Sequence, residues 1–344
     1  MKKVLFFATC AIALFASCQK TEVNYVGEPQ EIAFFAVNKT ATKAPHSATT
    51  FPDDNNMQVA AYLAAGDNGT VTATNGDYFG ATTFAKSTAS DYWTGSRYWP
   101  VTESTINFLA VSTSTAETNP VTVNFATANH ASSATVTLAD NITEQYDLMY
   151  AAGQGTCAAN SYPAVSLVFK HALSWVNFTV ATNATGVGKI AVNSIKVNGA
   201  YVSGTLTLNN SDYNKVQSYE SSNANVTAAW AVTTSDAKDV ELKENPAKSL
   251  TATAASFVEN GLLVVPSDAM TFTIDYTVTH ESGVTNNYTY TYTPASDAKW
   301  EIAKKYTYAI TLNLNEIQVN PSVTGWDTPS SSTPVNLGGA PELS

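Results

Sequence analysis

From Lys305 onward the chain alternates without a fault: Tyr306, Tyr308, Ile310, Leu312 and Leu314 against Thr307, Ala309, Thr311, Asn313 and Asn315. An α-helix turns once in about 3.6 residues, so a period of two cannot give it an apolar stripe, whereas a β-strand acquires one packed and one wet face. The same pattern sets Phe272, Ile274, Tyr276 and Val278 against Thr271, Thr273, Asp275, Thr277 and Thr279. It resumes after Glu281-Ser282-Gly283 as Tyr288, Tyr290 and Tyr292 against Thr289, Thr291 and Thr293, which predicts an antiparallel hairpin. Shorter strand-like segments at 58–63, 175–180, 190–197, 205–208 and 262–265 are separated by Asn, Gly and Pro turns, and no segment has the periodicity of a long amphipathic helix.

The fold class expected is therefore all-β. With 344 residues and roughly 150 per domain, two β-sandwich domains in tandem are expected, over 31–163 and 164–326, with the join near Pro163. The first strand is read at 31–37, where Ile32 and Phe34 point to one face and Phe35 and Val37 to the other, so both faces are apolar. After it, 38–56 is aperiodic and polar and reads as a long exposed connection. The Ser-, Pro- and Gly-rich stretch 327–344 reads as a flexible tail, in which Val335 and Leu337 offer a short pairing segment.

Ahead of the first strand, Met1-Lys2-Lys3, an apolar run from Val4 to Phe15, and Ala16-Ser17-Cys18 before Gln19-Lys20-Thr21-Glu22 read as an export signal over 1–17. Its apolar run falls short of the ~20 residues that span a bilayer. Leu14, Ala16, Ser17 and Cys18 fit a lipoprotein cleavage box, so Cys18 is the expected lipid attachment site and new N-terminus, with 18–30 as a polar tether. Several acyl chains at ~0.8 kcal/mol per buried methylene hold a protein on a membrane durably. Of the 17 basic residues Lys2 and Lys3 leave with the signal, and the 28 acidic ones stay. So acidic a chain is unsuited to nucleic acid or to anionic lipid surfaces.

Cys10 lies in the signal and Cys18 carries lipid, which leaves Cys157 alone, without a disulfide partner, and best read as a small buried residue. No nucleophile elbow, zinc-type histidine pair or phosphate-binding glycine loop occurs, so no catalytic residue, metal ligand or cofactor is assigned. Asp53-Asp54-Asn55-Asn56 reads as a solvated turn rather than an ordered set of oxygen ligands, and His171 as a strand-end residue that satisfies backbone groups. Tyr92-Trp93 and Tyr98-Trp99-Pro100 read first as core aromatics sealing one end of a sandwich, and second as a sugar-stacking platform.

Several ordered segments resemble the fimbrillin family, the type V pilins: Ala16-Ser17-Cys18, Tyr98-Trp99-Pro100 followed by Ile106-Asn107-Phe108, and Asp147-Leu148-Met149-Tyr150-Ala151. The most characteristic is 167–176, Leu-Val-Phe-Lys-His-Ala-Leu-Ser-Trp-Val, joined by Ile317-Gln318-Val319 and Val323-Thr324-Gly325-Trp326. The resemblance implies transthyretin-like sandwiches, export as a lipoprotein to the outer membrane surface, and assembly with other fimbrial subunits or with itself by strand exchange. The strand to be displaced would carry Ile32, Phe34, Phe35 and Val37, and the donor strand would carry Ile317, Val319 and Val323 around Pro321.

In such pilins a trypsin-like protease, commonly arginine-specific, cuts the loop after the first strand. Here the only arginine is Arg97, between Trp93 and Trp99 in expected core, and the loop offers Lys39 and Lys43 instead. The function expected is thus a non-enzymatic structural subunit or accessory component of cell-surface fimbriae that supports adhesion. The alternative is a permanently anchored surface lipoprotein that binds glycans through the Trp93 and Trp99 region, another envelope protein, or a host or bacterial receptor.

Overall fold

In the computed structural model the alternating run becomes the strand Lys304–Leu312, with Tyr306, Tyr308, Ile310 and Leu312 buried and the residues between them half-buried. The structure describes residues 29–38, 51, 56–63, 77–101, 103–113, 121–125, 131–158, 161–184, 188–210, 226–313, 317–326 and 333–334. Cys18, Lys39, Lys43, Asp53-Asp54-Asn55, Leu314, Asn315, Val335 and Leu337 lie outside them.

In chain order the strands are β1 (Glu31–Asn38), β2 (Asn56–Leu63), β3 (Asp77–Lys86), β4 (Trp93–Tyr98), β5 (Ser104–Thr113), β6 (Val121–Phe125), β7 (Ala131–Thr137) and β8 (Met149–Cys157). Next come β9 (Val165–His171), β10 (Ser174–Ala181), β11 (Lys189–Tyr201), β12 (Ser203–Asn210), β13 (Val226–Ala231), β14 (Ala237–Ser249), β15 (Ala255–Ser256) and β16 (Leu262–Val264). The last are β17 (Ser267–Asp268), β18 (Phe272–Thr279), β19 (Thr285–Tyr292), β20 (Lys299–Trp300), β21 (Lys304–Leu312), β22 (Ile317–Gly325) and β23 (Thr333–Pro334). Helix among the described residues is confined to the 3-10 turns Ile142–Glu144 and Thr234–Asp236.

The first half closes on itself in the order β1-β4-β3-β2-β5-β8-β9, with β1 antiparallel to β4 and parallel to β9. Closure gives every strand a neighbour on both sides, with the β3–β4 and β8–β9 seams paired only briefly. Inside lie Ile32, Phe34, Val59, Phe84, Phe108, Ala110, Met149 and Leu167. The wall made by β2, β5 and β8 is apolar on both faces: Tyr62, Leu109, Val111 and Tyr150 point outward into a second core. Strands buried on both faces lose the clean alternation that marks β21.

The second core packs open sheets. One has the order β15-β10-β21-β22-β23 with β16 also on β10, another β14-β11-β18-β19, and a third β13-β12-β7-β6. Phe178 of β10 meets Phe272 of β18 edge to face at 4.9 Å and stacks near Tyr308 of β21 at 5.6 Å, which makes this an all-β sandwich. The predicted hairpin is present, in unbroken register from Phe272↔Tyr292 to Thr279↔Thr285.

Three expectations need correction. A division at 163 cuts across the hydrogen bonding, because β9 follows it yet pairs with β1 and β8, while β6 and β7 precede it yet join β12 and β13. Pro163 lies in the connection between β8 and β9, neighbouring strands of the same closed sheet. The connection 38–56 is not wholly exposed: Phe51 is buried and stacks on Phe169 at 4.2 Å. Arg97 is no core residue; it is exposed on β4, where its Nε donates to Thr82 Oγ1 at 2.9 Å.

Candidate assembly site

Two places gather the sequence motifs. The first is β1, which is an inner strand of the closed sheet although it comes first in the chain. Its β4 side is held at Glu31↔Tyr98, Ala33↔Thr94 and Phe34↔Trp93, and its β9 side from Phe34↔Val165 to Asn38↔Phe169. Ile32 and Phe34 are fully buried, and Phe34 sits edge to face against Phe84 at 4.8 Å and Phe108 at 5.0 Å. Each such side chain contributes ~1.5–3 kcal/mol by leaving water. The other face is different. Phe35 is 42% exposed, so of the two apolar faces read from the sequence only that of Ile32 and Phe34 is shown buried. Nothing is described of the Val37 side chain.

Beside β1 the motif residues Trp99 and Phe108 meet at 6.0 Å, ring edge to face. Gly155 of β8 makes room for them, since a methyl group there would lie 2.6 Å from Trp99 Cη2 and 2.7 Å from Val165 Cγ2. Trp93 and Trp99 are 2% and 4% exposed, so neither presents a face to a sugar, which removes the glycan platform expected at those two residues and leaves only Tyr92 and Tyr98 outside. Cys157 is buried nearby, with its thiol near the Pro100 and Ser104 carbonyls and pushed above its ordinary pKa by loss of water.

The second place is where the closed sheet meets the open ones. His171, the last residue of β9, holds Nδ1 2.8 Å from Asp147 Oδ2, and both side chains are buried. The two groups form a close buried pair, which is an ion pair when the imidazole is protonated. A carboxylate taken out of water in this way needs a counter-charge, and the imidazole supplies it when protonated. His171 therefore meets a carboxylate, a partner that the sequence did not announce. Its ring stacks flat on Trp326 at 3.9 Å and 6°.

Trp326 also leans on Trp175 at 5.5 Å, and Lys305 Nζ lies 3.7 Å over the Trp175 ring, with burial lowering the pKa of that ammonium. Trp326 N–H donates to the Ala303 carbonyl and Ala303 N–H to that of Leu173, at 2.8 and 3.0 Å, tying the end of β22 to the β9–β10 corner. The segments around Asp147, His171 to Trp175 and Trp326 thus meet in one latch. Sequence reading picked out each segment but not their meeting, and the signal available was a lone carboxylate, a lone histidine and a lone tryptophan in three short motifs.

β22 itself pairs along β21 from Lys304↔Gly325 to Leu312↔Ile317, and on its other side meets β23 only at Ser322↔Pro334 and Val323↔Thr333. Ile317 and Val319 are buried, Val323 is half-buried, and Pro321 stands opposite Tyr308. Among the described residues no group of three or more His, Cys, Asp or Glu could hold a metal ion.

A closed sheet and an open sandwich share one wall, and this all-β framework carries both groups of sequence motifs. The family model for fimbrillin-like proteins matches residues 30–326, and the chain belongs to that family. Membership makes it a fimbrillin-like protein of the cell surface, of a structural and not an enzymatic family. Among solved structures it is similar to a candidate cell adhesion protein from Bacteroides ovatus ATCC 8483, at 12% identity and TM-score 0.50 over 88% of this chain and 100% of that one. A fimbrial protein from Bacteroides vulgatus ATCC 8482 matches at 17% identity and TM-score 0.49 over 86% and 99%. The fimbrial anchor protein Mfa2 from Porphyromonas gingivalis matches at 12% identity and TM-score 0.36 over 87% and 98%. No curated protein sequence matches the chain.

Proposed function

We infer that the chain is a fimbrial subunit or fimbria-associated lipoprotein, carried to the outer membrane on an acylated Cys18 and assembled when β1 is exchanged for a strand of another subunit. The observation that supports this most is the position of β1 between β4 and β9. Its loss would open the closed sheet along two ladders and uncover the groove that Ile32, Phe34 and Ala36 fill. Cleavage after Lys39 or Lys43, just beyond Asn38, would detach β1 without touching another described strand. Cutting at Arg97 would instead break β4 inside the sheet.

The proposed donor is β22, an uncharged strand with apolar Ile317, Val319 and Val323 that pairs along its whole length with β21. Main-chain hydrogen bonds would supply the affinity and the alternating side chains the register.

Mass spectrometry of the N-terminus in surface fibres tests the reading. A terminus at Thr40 or Ala44 is expected of a matured subunit. Acylated Cys18 on all surface material would show a permanently anchored accessory protein and remove strand exchange at β1.

A further inference from the structure

The two edges of the β14-β11-β18-β19 sheet are built to opposite specifications. β14 carries Lys238, Asp239, Glu241, Lys243, Glu244 and Lys248, with Pro246 among them. Its pairing with β11 slips between Val192 and Ser194 and again between Val197 and Ala200. Charges, a proline and irregular register are the means by which a sheet edge refuses a further strand.

β19 has none of them. It reads Thr-Asn-Asn-Tyr-Thr-Tyr-Thr-Tyr, and it pairs with β18 from end to end without a register shift. From Thr285 to Thr291 every side chain but that of Tyr290 is exposed. Tyr288 is 44% exposed and lies over Tyr276 at 5.4 Å, where the core-facing side of the sheet runs out past its cover. The nearby carboxylate of Asp275 on β18 is occupied on both sides, accepting from Thr289 Oγ1 at 2.6 Å and Ser194 Oγ at 3.3 Å. Among the described residues no strand lies on the outer side of β19.

We propose that the Thr285–Thr291 edge takes the same edge of a second copy of this chain, antiparallel, joining two sheets into one. Charge selects that occupant. The chain has a formal net charge of −11, so two copies repel over most of their surface and come together best along an edge without charge. The sequence is also self-complementary about a two-fold axis at Tyr288. In antiparallel pairing opposed residues share a face, so Tyr288 meets Tyr288, Asn286 meets Tyr290, Asn287 meets Thr289 and Thr285 meets Thr291. Both Thr pairs and aromatic pairs favour such ladders. The contact is independent of β1 and β22, and so adds lateral pairing to whatever end-to-end assembly those strands support.

Sedimentation of the purified chain over a wide range of concentration tests it. Wild type is expected to pass from monomer to dimer. Asn287→Lys combined with Thr291→Lys, both at exposed positions, should weaken the dimer by about a hundredfold or more while leaving the thermal transition in place. Tyr288→Cys, in a chain that starts after Cys18, should give a covalent dimer on mild oxidation, since Cys157 is buried. A wild type that stays monomeric throughout, a lysine variant that dimerises like wild type, or a Tyr288→Cys chain that dimerises without cross-linking would each overturn the proposal.

Discussion

The closed sheet of the first half and the open sheets of the second solve the problem of strand edges in opposite ways. Around β1-β4-β3-β2-β5-β8-β9 no edge exists, so another chain can enter that sheet only where a strand has left it. In the second half the edges exist, and each is guarded or left open by its side chains, as β14 and β19 show. Association through the first half therefore demands a covalent or conformational event, whereas association through the second needs concentration alone. The shared wall of β2, β5 and β8 couples the two, because it is packed on both faces.

The largest effects should come from the closed half. Phe34→Ala empties the space between Phe84 and Phe108 and should cost ~3–5 kcal/mol in denaturant unfolding. A loss under about 1 kcal/mol would mean that β1 contributes little to the sheet.

At the latch between the halves, His171→Leu leaves the Asp147 carboxylate buried without its partner and should cost ~3 kcal/mol. Adding Asp147→Leu should recover much of that loss, because a buried pair replaced by apolar residues is often neutral. A double variant as unstable as the single one would show that packing on Trp326, not charge, holds the latch. Gly155→Ala pushes a methyl group into Trp99 and should cost ~1–3 kcal/mol, again on the closed half.

Alkaline solution tests the open half through the most strongly raised phenols. Burial raises the Tyr306 phenol from 10.0 to about 12 in the open half, and burial raises Tyr308 further along the same strand. The unfolded chain loses these protons first, so stability is whole below the ordinary tyrosine value and falls as pH rises through the window from 10.0 to about 12. Tyr306→Phe should flatten that fall. At the bottom of the scale, Lys243→Ala removes an exposed pair with Glu241 and should change stability by less than about 1 kcal/mol.

Strands with one wet face were legible in the sequence. Tyr306 to Leu312 and the Phe272 to Tyr292 hairpin carry their period openly because one side meets water. β5 does not, since Leu109 and Val111 face one core while Phe108 and Ala110 face the other. Pairings between distant segments were not legible either. Nothing local in Ser203–Asn209 says that it will lie along Ala131–Thr137, and nothing in β9 says that it will run parallel to β1. The site was legible in the same partial way. Ile32 and Phe34 announce a buried face, but Phe35 looks equally apolar and is exposed, because only the layering of the folded chain decides which side is covered. Asp147, His171 and Trp326 each stand alone in the sequence, and only the fold makes them one latch.

The central claim, that the closed half admits a partner only by giving up β1, has a direct measurement. Ala33 and Thr94 are cross-strand partners in the antiparallel β1–β4 pair, a spacing that a disulfide can bridge. In the variant Ala33→Cys with Thr94→Cys, assembly after cleavage at Lys39 or Lys43 is followed on gels of unheated material. The oxidised protein should remain unassembled, and reduction should restore the ladder of assembled species. A ladder that forms equally well with the disulfide closed would contradict the account.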